Sequence, residues 1–362
     1  LIPWPLLLLP GALARDDGLC RAWRAAVETG VVVEGDLDEI SGLAASHVQP
    51  GVLWVHNDAG GGSRVFALSN TGARLGAWSV LGATNTDWED LAIGPCGGGG
   101  ACSCLYIGDF GDNDLERATY VIWRVPEPEA GGVSSAQTAA AEALHFQYPD
   151  GPHDAETLLV APDTGEVLVL TKAQGRRTGV YAFPEAPPRP STAADPTTLI
   201  SVTTLFLENA AGDSESVTGG VVSPRGSRIF LRSDTDVYLF AGSAGGTLSS
   251  VLATSVVRLP APPAGGNAEA LGISADGLTL HLVGEGEHAP LYEVSCASFE
   301  SDGLSGEDPL VECASDDDTG SEVQPTCGCQ GKGEAALLLP LPWGFGLLRR
   351  ARRRAAGRST PA

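Results

Sequence analysis

At five places along the 362-residue chain, a glutamate opens a short apolar run just after a turn-rich patch. The copies are Asp38-Glu39-Ile40-Ser41-Gly42-Leu43, Trp88-Glu89-Asp90-Leu91-Ala92, Ala155-Glu156-Thr157-Leu158-Leu159, Ser214-Glu215-Ser216-Val217-Thr218 and Ala268-Glu269-Ala270-Leu271-Gly272. Successive glutamates lie 50, 67, 59 and 54 residues apart. Recurrence at such a spacing marks a repeat architecture, and each unit is too long and too strand-like for a helical solenoid.

Each unit carries a series of short apolar runs divided by Gly, Asn, Asp and Pro clusters, the punctuation of successive strands. The first predicts strands over 40–46, 52–56, 65–69 and 75–81. The second predicts 91–94, 104–108, 120–125 and 143–148. The third predicts 157–161, 167–171, 179–183 and 199–206, and the fourth 217–222, 228–232, 237–240 and 251–259. The fifth supplies only three, over 270–274, 278–283 and 291–294, while residues 22–33 form an extra strand-like segment with no partner of their own. A ring closes if that N-terminal segment completes the last sheet, and closure removes exposed sheet edges. The expected fold is therefore an all-β five-bladed β-propeller over residues 20–299. A sixth, degenerate blade is the alternative, since the gap between Glu89 and Glu156 is the longest. Residues 134–144, rich in Ala, are the one sustained helix candidate, read as a loop insertion.

The net charge of −23 conceals an asymmetry, because Arg349, Arg350, Arg352, Arg353, Arg354 and Arg358 crowd the last fourteen residues. The acidic body repels phosphate backbones, which argues against nucleic-acid binding and favours cations or basic partners. Solubility of an exported protein is the plainer explanation of the same acidity.

Both ends read as targeting segments. Residues 2–9 are apolar and lead to Ala12-Leu13-Ala14, a small-x-small cleavage pattern, so residues 1–14 are expected to be a signal peptide. Residues 300–326 are polar and acidic, including Asp316-Asp317-Asp318, and read as a flexible linker. Residues 327–362 combine Cys327-Gly328-Cys329, an apolar run over 335–348 and the arginine cluster. This tripartite tail resembles the MYXO-CTERM sorting signal of myxobacterial surface proteins. The resemblance implies processing and anchoring at the cell surface, with the membrane touched through this tail only.

Eight cysteines in a chain read as exported argue for disulfides. Ring closure brings Cys20, at the head of the N-terminal strand, to Cys296, at the end of the last one. Cys96, Cys102 and Cys104 flank a glycine loop and two of them can pair locally, Cys96–Cys104 being the pairing adopted. Cys313 could take the third or compete for Cys20. Zinc at Cys102-x-Cys104 lacks further ligands at a suitable spacing.

In a propeller the innermost strands line the axis and ligands bind at one mouth. The expected mouth gathers Glu39, Glu89, Glu156, Glu215 and Glu269 with Asp58, Asp109, Lys172, Arg232 and Glu285. Crowded carboxylates raise one another's pKa or recruit cations. Ca²⁺, which takes many oxygen ligands, is the candidate cofactor, with Glu39, Glu89, Asp109 and Glu156 as ligands. The alternative is structural, each glutamate hydrogen-bonding the backbone of the next blade. The acidic loop Gly108–Asp114 looks like a calcium loop but fails the EF-hand pattern. His56 and His153 fall near the mouth. No nucleophile elbow, His-Glu-x-x-His motif or phosphate loop is present.

Glu39–Ser46, Val52–Asp58, Asp87–Asp90 and Tyr106–Asn113 resemble a family of secreted bacterial propellers distantly similar to phytase-like and esterase-like propellers. The resemblance implies export and the fold. Through the phytase-like link it also implies metal ions at an acidic mouth that bind substrate phosphates and activate water. Three functions are thus in view: a surface binding module for a protein, glycan or small molecule, acting as a monomer; a metal-dependent phosphoester hydrolase; and a structural surface protein.

Overall fold

The structure is a computed structural model that describes residues 20–33, 35–97, 102–131, 135–172, 177–259 and 269–299. The segments read as signal peptide (1–14), linker (300–326) and sorting tail (327–362, with Cys327 and Cys329), together with Cys313, lie outside the described residues.

Among the described residues, twenty-three strands form five sheets, which are the five blades. The chain opens with β1 (Cys20–Trp23) and β2 (Val27–Val31). Blade 1 holds β3 (Ile40–Ala45), β4 (Val52–Asn57), β5 (Arg64–Ser69) and β6 (Arg74–Leu81). Blade 2 holds β7 (Trp88–Pro95), β8 (Ser103–Asp109) and β9 (Tyr120–Pro126); after the crossing strand β10 (Ala136–Ala140) the chain returns to it as β11 (Glu142–Gln147). Blade 3 is β12 (Ala155–Val160), β13 (Val167–Thr171), β14 (Thr178–Ala182) and, after β15 (Thr197–Thr198), β16 (Ile200–Leu205). Blade 4 is β17 (Val217–Val222), β18 (Arg228–Ser233), β19 (Val237–Ala241) and, beyond the short helix α1 (Leu248–Leu252), β20 (Val256–Leu259). Blade 5 is β21 (Ala270–Ile273), β22 (Thr279–Val283) and β23 (Pro290–Phe299).

The ring closes as the strand count requires. Both β1 and β2 pair antiparallel with β23, so the N-terminus completes the last blade. Cys20–Cys296 locks this junction covalently, and Cys96–Cys104 bridges β8 to the turn before it. The five hydrophobic cores show the closure most directly, because each lies between two neighbouring blades. Trp54, Trp78, Trp88 and Trp123 fill the first, where the Trp54 and Trp78 rings meet edge to face at 5.1 Å. Tyr106, Phe146 and Tyr181 belong to the second. Leu159 and Leu231 belong to the third, Phe230 and Leu282 to the fourth, and Leu43 with Val283 to the fifth, which joins blade 5 back to blade 1. Alternating side chains on two-faced strands feed one core from each face, which is why β4, β12 and β18 are buried throughout.

Two expectations are corrected. Of the segment 134–144, the described residues 135–144 contain no helix: they supply β10 and the start of β11. The outer edge of β6 carries unpaired backbone groups, and β10 satisfies them as a parallel fifth strand, with Thr138 Oγ1 accepting from Leu81 N at 3.1 Å. Alanine's helix propensity is a weak prior against a free strand edge. The strand expected over 251–259 starts late, because Val251 and Leu252 are the last two residues of α1. Thr247 caps α1 by accepting from Ser250 N, and Leu248, Val251 and Leu252 plug the core between blades 3 and 4. Only 256–259 remains as strand.

Candidate functional site

Four of the five innermost strands carry a bulge at the same end. The registers of β3, β7, β12 and β17 skip one residue against their partners, leaving Ser41, Glu89, Glu156 and Thr218 as the extra residues. A bulged residue is released from the ladder and re-aimed, a common device at sites. In β21 the pair Ala270–Val283 puts Glu269 at the matching level, one residue before the strand. Only Glu89, Glu156 and Glu269 therefore share the bulge level. Ser41 and Thr218 fill it in blades 1 and 4.

Glu39 stands two residues before its bulge, the level held by Asp87 and Asp154 in the next two blades. Backbone hydrogen bonds confirm the equivalence: the carbonyls of Glu39, Asp87 and Asp154 accept from Asp58 N (2.8 Å), Phe110 N (3.1 Å) and Lys172 N (2.8 Å). Glu39 is exposed. Glu215 lies earlier still, and its Oε1 accepts from Asn209 Nδ2 at 2.8 Å.

The mouth that results belongs mainly to blades 1 to 3. Oxygens of Asp58, Asp87 and Glu89 lie within 4.8 Å of one another, as do those of Glu89, Asp154 and Glu156. Glu89 is common to both groups and is 5 % exposed. No described residue donates a hydrogen bond to its carboxylate. Gly111 makes room for this crowding, since a Cβ there would collide with Glu89 Oε1 and the Asp87 carboxylate. Lys172 pairs with Glu156, and Glu285 stands within electrostatic reach of Asp58 and Glu269.

Asp109 is placed elsewhere. It pairs with Trp88 inside the ladder, equivalent to Asn57 rather than Asp58. Its carboxylate accepts from Thr86 N and Asp87 N at 3.2 Å each and from Arg117 at 2.9 Å. Asp112 likewise closes its own loop, accepting from Glu116 N, Arg117 N and the Tyr120 hydroxyl. The calcium-loop look of residues 108–114 thus reflects loop closure. Arg232 is buried and donates to Ala270 O and Val283 O, 2.6 Å each. His56 packs edge to face on Trp88, and His153 Nε2 lies 3.0 Å from both Asp150 and the Tyr181 hydroxyl, so neither joins the carboxylate groups.

Struts between blades exist, but they are other residues. Ser41 Oγ donates to Glu89 O at 2.6 Å, joining β3 to β7. Asp90 accepts from Leu91 N and Leu158 N at 2.8 Å each and also bonds the Gly220 backbone, joining β7, β12 and β17. The mouth glutamates are left free of that task.

Their electrostatics follow. Burial raises the Asp58 pKa to about 6, and Asp87, Glu285 and Glu39 add to the rise. Asp87 is raised by burial, partly offset by Arg117. Burial and then Glu156, Asp58, Asp87 and Asp154 push Glu89 well above the usual carboxylate range. Glu156 reaches about 7 by burial despite the Lys172 ammonium, and Glu269 about 8 by burial with Glu156 and Glu285. Burial works against the Lys172 charge, yet Glu156 and its neighbours hold the ammonium above its ordinary pKa. Such a cluster holds protons or draws a cation.

No protein-family model matches this chain, and no curated protein does. Solved propeller structures are similar to it. The PQQ-bound form of aldose sugar dehydrogenase from Streptomyces coelicolor is 13% identical, over 75% of this chain and 98% of that one, with a TM-score of 0.40. The Neurospora crassa Pan2 WD40 domain is 9% identical, over 76% and 96%, with a TM-score of 0.40. Neither likeness extends to function.

Asp87 and Asp154 are the site residues that sequence reasoning missed. Their signal was an acid two residues before the mouth glutamate, Asp87-x-Glu89 and Asp154-x-Glu156, present in two consecutive repeats. Every donor in the two groups is a carboxylate oxygen, which suits a hard cation such as Ca²⁺ and not a zinc-type site.

Proposed function

We propose that this propeller is a binding module whose acidic mouth holds Ca²⁺ and presents it to an oxygen-bearing ligand. One observation carries the reading: the Glu89 carboxylate is buried among four other acids with no hydrogen-bond donor among the described residues. A structural carboxylate at that burial would be bonded, as Asp90 is. Asp58 and Asp87 are only half-buried, so a bound cation keeps an accessible side. Display at a bacterial cell surface, as a monomer on a processed tail, is the setting that the terminal segments support. Phosphoester hydrolysis has less support, because Lys172 at the mouth is already paired with Glu156.

The test is calcium titration of the full chain by calorimetry, with thermal melting in calcium and in chelator. A saturable heat and a higher Tm in calcium are expected. No heat and no change on chelation would sink the cation reading and leave a carboxylate cluster that simply holds protons.

A further inference from the structure

We propose that the mouth takes two divalent, oxygen-seeking cations bridged by Glu89. The proposal rests on the cation reading above and specifies its stoichiometry and geometry.

The two carboxylate groups have different addresses. Asp58 follows β4 and Asp87 precedes β7, so the first lies between blades 1 and 2. Asp154 precedes β12 and Glu156 is its bulged residue, so the second belongs to blade 3. Ca²⁺ binds oxygens at about 2.3–2.6 Å, so ligands of one ion stand at most about 5 Å apart. Each triad meets that limit with its 4.8 Å span. The triads share Glu89 without merging into one set of that span. Two ions, one per triad, use every donor.

Glu89 is built for bridging. It is the bulged residue of β7, released from the ladder, 5 % exposed, and no described residue donates to its carboxylate. A carboxylate offers two oxygens, one for each ion. Two-metal sites hold their ions about 3.5–4 Å apart, a separation that one bridging carboxylate spans. Gly111 leaves the space that this arrangement needs beside Glu89 and Asp87.

Charge points to the same number. The five ionised carboxylates of the two triads and the Lys172 ammonium together carry four negative charges, which two divalent cations neutralise. One cation leaves two charges unbalanced in a largely buried cluster, a costly state at low dielectric.

The experiment uses the full chain, with Ca²⁺ in calorimetry and Mn²⁺ as its paramagnetic stand-in. Two equivalents of Ca²⁺ are expected, and the fully loaded Mn²⁺ protein should give an exchange-coupled spectrum. Asp87→Asn and Asp154→Asn should each lose one equivalent and show isolated Mn²⁺. Glu89→Gln should abolish the coupling and weaken both sites by tenfold or more, with circular dichroism and the melting curve checking that the variant is folded. One equivalent in the unaltered protein, or two that remain coupled in Glu89→Gln, would overturn the bridge while leaving the mouth a cation site. No binding at all would overturn both readings.

Discussion

The Asp90 carboxylate accepts a hydrogen bond from the Leu158 backbone N–H at 2.8 Å, tying the innermost strand of blade 2 to that of blade 3. Its neighbour Glu89 faces the mouth instead. Two adjacent acids thus differ: Asp90 ties the ring, while no described residue donates a hydrogen bond to the Glu89 carboxylate.

Asp90→Ala should therefore destabilise the propeller strongly. It leaves the buried N–H groups of Leu91, Leu158 and Gly220 without their acceptor. Each buried donor left unmade costs about 1–3 kcal/mol, so a total loss of roughly 3–5 kcal/mol is expected. Asp90→Asn keeps one acceptor oxygen and should cost less. Urea unfolding of both variants measures the difference, and an unchanged midpoint for Asp90→Ala would refute the strut.

Glu89→Gln should shift stability the other way in chelator. The substitution fixes a neutral group where burial and then Glu156, Asp58, Asp87 and Asp154 disfavour the charge, and it breaks no described side-chain hydrogen bond. A rise of about 1 kcal/mol in the metal-free protein is expected, since neutralising one buried like charge relieves its neighbours. A loss of stability on melting in chelator would instead mark Glu89 as structural.

The Cys20–Cys296 disulfide spans a sequence separation of 276 residues. Crosslinks that close long loops restrict the unfolded chain most, and loss of a native one typically costs 2–5 kcal/mol. Cys20→Ser with Cys296→Ser should lower the melting temperature while leaving calcium binding intact, because the bond lies in blade 5 and the carboxylate groups in blades 1 to 3. Loss of calcium binding in a folded double variant would show that ring closure and the mouth are coupled.

The fold was legible because strands announce themselves by turn residues and apolar runs, and because blade 5 was one strand short while the N-terminus had one over. The same reasoning paired Cys20 with Cys296. The site was less legible because glutamate spacing is not structural register. Aligning the five glutamates put Glu39 and Glu215 beside Glu89, yet the bulges set them two and three residues early. The identity of a bulged position depends on cross-strand pairing, which no single strand records. Asp109 was misplaced by one residue along β8, enough to turn its carboxylate to Arg117. Residues 134–144 misled because local helix propensity competes with a strand edge contributed from elsewhere in the chain.

His281 gives the pH dependence. It is buried in β22 of blade 5, and Glu293 Oε1 is 3.5 Å from its Nδ1, beyond a good hydrogen bond. Burial lowers its pKa to about 4, with Asp276 pulling weakly upward. The unfolded chain, with an ordinary histidine near 6.5, binds the extra proton first. Stability from this group is therefore complete above pH 6.5 and falls as pH drops from about 6.5 to about 4. The full loss is about 3 kcal/mol. Glu293, raised by burial, slopes the other way and remains in any His281 variant. Subtracting the unfolding free energies of His281→Gln from those of the unaltered protein, between pH 7 and 4.5, isolates the histidine. The difference should shrink by about 2 kcal/mol toward acid, and parallel profiles would mean that His281 takes up its proton equally readily in the folded and unfolded chain.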